Sequence, residues 1–297
     1  MLPTAFTHAL IIYNPNSTGD SETIARDFYT GLRKLKPSCK VALKQTTHAG
    51  HGEELGYELT KSGRGYLLVS VSGDGGYHEL VNGVMRAVDE GARPSICAVL
   101  PGGNANDHYS YISKRTLLEA IAADGLTNLD LLRVETTTDG AQTRYAHSYA
   151  GLGLTPLVAA ELNTHDLTII RENWLVLKTF WNLKPFKIIE SDKVCSYDSL
   201  ILANIGVMAK YLSLDSGSSP RDGKFEVLRW PHQSRLGLTG LLAKTAAGKD
   251  APPPSVKYFS FKTIKRIPMQ LDGELIHLAA AQVVRVSIAP GKLKTYG

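Results

Sequence analysis

The chain has 297 residues, 43% hydrophobic and 21% charged, which excludes a disordered or low-complexity protein and allows two folded domains at roughly 100 to 200 residues each. Its 33 Lys and Arg against 28 Asp and Glu leave a formal charge of +5, too small an excess to argue for a nucleic-acid binder but compatible with an anionic substrate or lipid surface. No apolar run approaches the ~20 residues of a spanning helix, and the opening MLPTAFTHALIIYNP lacks a basic region with a small-residue cleavage site, so the sequence predicts a cytosolic protein without an anchor.

In chain order, His8 to Tyr13 reads as a strand, and Asp20 with Ser21 can cap a helix in which Ile24, Phe28, Leu32 and Leu35 share a face before Pro37 stops it. Strands are predicted at Lys40 to Gln45, Tyr66 to Val71 and Ile96 to Leu100. Leu80, Val81, Val84, Met85 and Val88 mark a helix between the last two. This alternation predicts an α/β domain over residues 1–135, a parallel sheet with helices on both faces.

Beyond it, Ser199 to Ile205, Phe225 to Arg229, Val256 to Phe261 and Gln282 to Ile288 read as strands without crossover helices. They predict a β-rich antiparallel domain over 136–297. Helical pieces are expected at Thr168 to Trp181 and Leu236 to Ala247, with a surface connection over 247–254. The three cysteines, Cys39, Cys97 and Cys195, form no CxxC pair and read as reduced thiols, Cys97 as a small core residue. There is no HExxH, and His48 and His51 in a Gly-rich loop read as solvated rather than metal-bound.

Four loops follow predicted strands of the first domain: NPNSTG (14–19), TTHAGHG (46–52), SGDGG (72–76) and PGGNAND (101–107). Ligands of open parallel sheets bind at the carboxyl ends of strands, and glycines let backbone N–H groups approach an anion ahead of a helix N-terminus. Together such loops can hold a nucleotide and its phosphates. Neither GxxxxGK[ST] nor a complete GxGxxG is present. An ionised Asp only accepts and repels phosphate, so Asp74 suits a hydroxyl, an ammonium or a metal held beside the phosphates. Its structural alternative is a helix cap.

SGDGGYHELVNG (72–83) resembles the GGDGTxxEVxNG motif of the diacylglycerol kinase catalytic domain family, which includes sphingosine kinases and bacterial lipid kinases. PGGNAND resembles its PxGTxND and NPNSTG its NPxSG. RDGKFEV (221–227) resembles DDGLLDV, and QLDGE (270–274) carries its DGE. The resemblance implies an ATP-dependent kinase with Mg²⁺, a nucleotide-binding α/β domain and a lipid-binding β-rich domain, whose last strand can return to the first. It places Asn14, Thr46, Gly73, Asp74, Gly75, Gly76, Glu79 and Asn82 at the nucleotide, together with Gly103, Asn104, Asn106 and Asp107 of the fourth loop. Asp222, with the backbone carbonyls of Ser219 and Lys224, falls on a magnesium position. Glu274, with Asp272 beside it, falls on the proton-accepting position, and Asp74 joins them as a catalytic carboxylate.

Two departures stand out: Gly76 and Asn104 occupy positions where the family pattern has Thr. Asp272 and Glu274 would share a face on an extended strand, as a base and its partner would need, whereas Asp-Gly is also a strong hairpin turn. Trp174, Leu177, Phe180, Trp181, Pro185 and Phe186 can line an acyl-chain entrance or pack in a core, and KYFSFKTIKR (257–266) can face anionic lipid, single-stranded nucleic acid or, as a half-buried strand, a core. The expected function is phosphorylation of a diacylglycerol-like or sphingoid-like hydroxyl by a protein that visits the membrane transiently and binds no nucleic acid. The alternatives are a soluble-substrate kinase related to NAD kinases and a non-catalytic lipid-binding protein. Edge strands leave a homodimer open.

Overall fold

The computed structural model describes residues 6–17, 20–137, 142–153, 184–208, 212–213, 218–232 and 253–297. The helices expected at 168–181 and 236–247, Trp174, Leu177, Phe180 and Trp181, and most of the 247–254 connection lie outside these residues. The chain divides into one unit of Met1–Leu129 with Gly291–Gly297 and a second of Asp130–Pro290.

The first unit contains β1 (His8–Tyr13), α1 (Ser21–Leu35), β2 (Lys40–Gln45), α2 (His51–Lys61), β3 (Tyr66–Ser72), α3 (Asp74–Asp89), β4 (Ile96–Pro101), α4 (Asp107–Ile112) and α5 (Leu117–Ala122). Its strands pair in parallel in the order β2-β1-β3-β4. Ala9 to Ile12 and Leu67 to Val71 are buried without alternation, as strands covered on both faces must be. On one face Phe28 and Leu32 of α1 and Leu117 and Ile121 of α5 pack with Ile11, Val69 and Ala98. Strand alternation turns Leu10, Ile12, Leu68 and Cys97 to the other face, where α2 and α3 pack on β3. Burial of each such side chain stabilises the fold by roughly 1.5–3 kcal/mol.

Asp20 caps α1 by accepting from Thr23 N–H, and Arg33 and Lys34 fall at its C-terminal end, which favours cations. Ala25 completes its buried stripe, whereas the Leu35 predicted for that stripe is 37% exposed because the helix ends there. Gly83 lets α2 and α3 touch: a Cβ at this position would lie 2.0 Å from Glu53 O.

The second unit is built on β5 (Leu126–Thr136), β6 (Thr143–Ala146), β7 (Tyr149–Gly153), β8 (Phe186–Glu190), β9 (Lys193–Ala203), β10 (Val207–Met208), β11 (Leu212–Ser213), β12 (Phe225–Pro231), β13 (Ser255–Val256), β14 (Tyr258–Thr263), β15 (Ile267–Leu271), β16 (Glu274–Leu278) and β17 (Val283–Tyr296). Among the described residues the main sheet runs β16-β15-β7-β9-β8-β14-β17-β5-β6, with β12 on β9 and β13 on β12. The pairings of β7, β8, β9, β12, β14 and β15 with their neighbours are antiparallel. Its core gathers Leu152, Leu200, Leu202, Phe225, Val227, Phe259, Phe261, Met269, Leu271 and Val286.

KYFSFKTIKR is a half-buried strand in β14: Phe259, Phe261 and Thr263 are buried while Tyr258 and Lys262 face outward. The chain passes between units within β5, at Leu129, and again within β17, between Pro290 and Gly291. There Tyr296 meets Phe6 edge to face at 6.2 Å, and Gly297 N–H donates to Gly125 O at 3.3 Å.

Candidate active site

The chain leaves β1 for β2 on one side and then crosses back to β3 on the other, so the loops after β1 and β3 diverge at the switch point where open α/β sheets bind ligands. After β1, Asn14 folds the chain back: its Oδ1 accepts from Asn16 N–H at 3.0 Å and its carbonyl from Ser17 N–H at 3.1 Å. Ser21 Oγ also donates to the Asn14 carbonyl, fixing the start of α1. Ser17 Oγ donates to Gly102 O and so clips this turn to the loop after β4. Thr46, just past β2, donates its N–H to Tyr13 O at 2.9 Å.

SGDGG is less a free loop than a helix start. Gly73 is the N-cap of α3, and Asp74, Gly75 and Gly76 form its first turn, whose N–H groups have no partner within a helix. The loops after β3 and β4 touch backbone to backbone: a Cβ on Gly103 would sit 2.4 Å from Gly73 Cα, and one on Gly102 would sit 2.9 Å from Ser72 N. Only glycine permits this, and it sets the positive end of α3 beside the PGGNAND backbone. Asn106, at φ 53, closes that loop by accepting from Gly103 N–H at 3.0 Å and donating Nδ2 to Gly103 O at 2.6 Å. Asn104 is exposed at its tip.

The carboxylates of the motif hold backbone. Asp74 accepts from the N–H groups of Asp107 and His108, 3.0 Å each, and so caps α4 and ties the fourth loop to α3. Asp107 itself is 2% exposed. Glu79 accepts from Gly50 N–H at 2.7 Å and Gly52 N–H at 3.1 Å, fixing the start of α2. Asn82 is 3% exposed and donates to His78 O at 2.9 Å.

Gly76 has a steric explanation: a Cβ there would lie 2.6 Å from Ser72 Oγ, which is held by Ser70 Oγ at 2.7 Å and Gly73 O at 3.0 Å. Where the family pattern reads Gly then Thr, this chain has Ser72 then Gly76, with the hydroxyl on the other partner. His48 and His51 stack at 4.8 Å, and His48 pairs with Glu54. Among the described residues no group of three His, Cys, Asp or Glu is arranged to hold a metal, and no helix is long and apolar enough to cross a membrane.

In the second unit Asp222 stands exposed in a tight turn, its N–H on Ser219 O at 3.3 Å and its Oδ1 accepting from Lys224 N–H at 2.9 Å. One carboxylate flanked by carbonyls suits Mg²⁺, which takes one or two carboxylates and completes its shell with water and phosphate. Asp272 and Glu274 do not share a strand face. Leu271 pairs with Glu274 across a two-residue turn of Asp272 and Gly273, at φ 51 and 100. Asp272 is 0% exposed and accepts from the N–H groups of His147 and Ser148 at 2.9 Å and of Tyr149 at 3.1 Å. Glu274 is exposed at the start of β16.

Sequence reasoning did not single out Asp130, His147, Ser148 or Asn204, all buried. Polar residues at the ends of buried strands, such as Asn204 after the apolar LILA, were the available signal.

Residues 8–135 match the family model of the diacylglycerol kinase catalytic domain. The crystal structure of a diacylglycerol kinase from Bacillus anthracis strain Sterne is similar over 98% of this chain and 97% of that one, with a TM-score of 0.72 at 18% identity. A second protein of that strain, described as a candidate diacylglycerol kinase, is similar over 99% and 98%, with a TM-score of 0.74 at 19% identity. At such identities these likenesses establish the fold alone. No curated protein matches this sequence. Over residues 8–135, therefore, the chain is similar to the diacylglycerol kinase catalytic domain.

Proposed function

We propose that this protein is an ATP-dependent kinase that transfers the γ-phosphate to the hydroxyl of a lipid, either diacylglycerol-like or sphingoid-like. The observation that carries this reading is the meeting of the Asn14 turn, the N-terminus of α3 and the Gly102–Gly103 backbone, in a domain matched by the kinase family model. Backbone N–H groups at a helix start bind phosphate oxygens without a side-chain cation, which accounts for a phosphate loop lacking the lysine of GxxxxGK[ST].

Asp74 and Glu79 then act as positioning residues, keeping the loops after β4 and β2 in place around the nucleotide. Asp222 with the Ser219 and Lys224 carbonyls would hold Mg²⁺, which when bound neutralises charge on the phosphates. Glu274, an exposed carboxylate, takes the proton of the acceptor hydroxyl; Asp272, consumed by three N–H groups, fixes the turn that carries it. A lipid acceptor implies transient contact with a membrane surface.

The test is transfer of label from γ-labelled ATP with Mg²⁺ to diacylglycerol, monoacylglycerol, sphingoid bases and ceramide in mixed micelles, with NAD and soluble alcohols alongside. A labelled lipid, lost in Glu274→Gln, upholds the reading. Label on NAD or a sugar moves the protein to a soluble-substrate kinase, and lipid binding without ATP binding makes it a non-catalytic lipid-binding protein.

A further inference from the structure

Two turns of the second unit carry the residues assigned above to metal and to base. They are the 219–224 turn with Asp222 and the Asp272–Gly273 turn before Glu274. Far apart in sequence, they hang from one buried chain of hydrogen bonds. Asp130 N–H donates to Pro220 O at 2.7 Å, and its Oδ2 accepts from Gly223 N–H at 2.8 Å. Asn204 Nδ2 donates to both Asp130 O and His147 O, 2.9 Å each, and Asn204 N–H donates to Ser148 O at 2.8 Å. His147 and Ser148 in turn give their N–H groups to Asp272.

Asp130 is 4% exposed, Asn204 1%, and His147, Ser148 and Asp272 0%. Hydrogen bonds in such surroundings are strong and costly to leave unmade, so the chain transmits position. At its centre, a single amide nitrogen bonds to both halves. Its orientation is determined, because a flipped amide would set Oδ1 against two carbonyl oxygens.

We propose that Asn204 is a positioning residue that holds the Asp222 turn and the Glu274 turn in one frame, so that cation dependence and proton transfer respond together to a change at 204. The catalytic part rests on the kinase reading of Asp222 and Glu274; the mechanical coupling of the two turns does not.

The experiment uses the full chain as Asn204→Ala and Asn204→Ser, the second keeping one hydroxyl donor. Amide hydrogen exchange is followed at Gly223 and at His147 to Tyr149, with Leu68 and Val69 of β3 as internal controls, beside lipid phosphorylation across a Mg²⁺ titration. Both segments should exchange faster together, more in the Ala variant than in the Ser variant, with β3 unchanged. The kcat should fall about 10- to 100-fold, as it does when supports of a metal site are cut, with a higher Mg²⁺ requirement and an unchanged KM for ATP.

Acceleration in only one of the two segments overturns the coupling, and lost kcat with an unchanged Mg²⁺ requirement overturns the catalytic part. If the Ala variant does not fold, the Ser variant carries the same comparison. A wild-type protein that phosphorylates no acceptor sinks the kinase reading, while joint acceleration of the two segments still upholds the coupling.

Discussion

Asp272 and Glu274 stand two residues apart in one family motif, and stability separates their roles. Replacing Asp272 by Ala leaves the N–H groups of His147, Ser148 and Tyr149 without their acceptor in a site where Asp272 is 0% exposed. Each buried unsatisfied donor costs about 1–3 kcal/mol, so three cost roughly 3–9 kcal/mol. Removing the carboxylate also recovers part of the desolvation penalty of a buried ion, which places the net loss in the lower half of that range, at about 3–5 kcal/mol. Alanine at φ 51 adds roughly 1–2 kcal/mol that Asp and Asn largely escape.

Asp272→Asn keeps one acceptor oxygen and the tolerance of that backbone, so it should lose only about 1–3 kcal/mol. Trp174, Trp181 and Trp230 all fall within Asp130–Pro290, so tryptophan emission during urea unfolding reports the unit that carries the change. Circular dichroism follows the helices of the first unit in parallel. Glu274→Gln, exposed, should unfold within ~0.5 kcal/mol of wild type and lose phosphoryl transfer. An Asp272→Ala protein as stable as wild type would refute this structural role and return Asp272 to the catalytic pair.

Gly76→Ala should destabilise the first unit by about 1–3 kcal/mol through its clash with Ser72 Oγ, and Ser72→Gly in the same chain should recover most of the loss, as read by thermal melting and ATP titration. Additive losses in the double variant would break the steric pairing. Glu90 is held below its ordinary carboxyl value of 4.5 by the hydrogen bond from Lys61 and then that from Tyr57. Its contribution is therefore present above about pH 4.5 and fades as pH falls through the folded-state value. Glu90→Gln should melt lower than wild type at neutral pH, with the difference closing in acid. Burial pushes the Cys97 thiol up to about 12, so alkylation of the native protein at pH 8 should mark Cys39 and Cys195 and reach Cys97 only on unfolding, as read by peptide mass spectrometry.

The first unit was legible because its signals are local: unbroken apolar runs, caps and strand-end glycines each name an element and its neighbour. The second was legible only in part. Tyr149–Gly153 is short and pairs with β9 and β15, both far along the chain, so no window of sequence contains the reason it is a strand. The compact units divide at Leu129, within β5, a single strand that serves both, whereas composition changes only after that strand ends. A shared strand face for Asp272 and Glu274 follows only if alternation continues across a turn, and it does not. The Asp-Gly pair was itself the evidence against it, since both residues adopt positive φ.

A carboxylate amid glycines proposed to bind phosphate poses an electrostatic puzzle, and the geometry of Asp74 resolves it: the acid faces α4, where two N–H groups donate to it. The same device recurs. Glu79 holds the start of α2, Asp130 the 219–224 turn and Asp272 the turn before Glu274, each by accepting backbone N–H groups from a distant segment. Backbone donors suit this task because they cannot be displaced by rotamer change, and charge makes each bond roughly twice as strong as a neutral one. It follows that loss of activity on mutating Asp74, Glu79, Asp130 or Asp272 does not identify a group that touches substrate. Glu274 and Asp222, exposed and carried on turns that these clips hold, are the carboxylates whose removal should silence the chemistry and leave the fold standing.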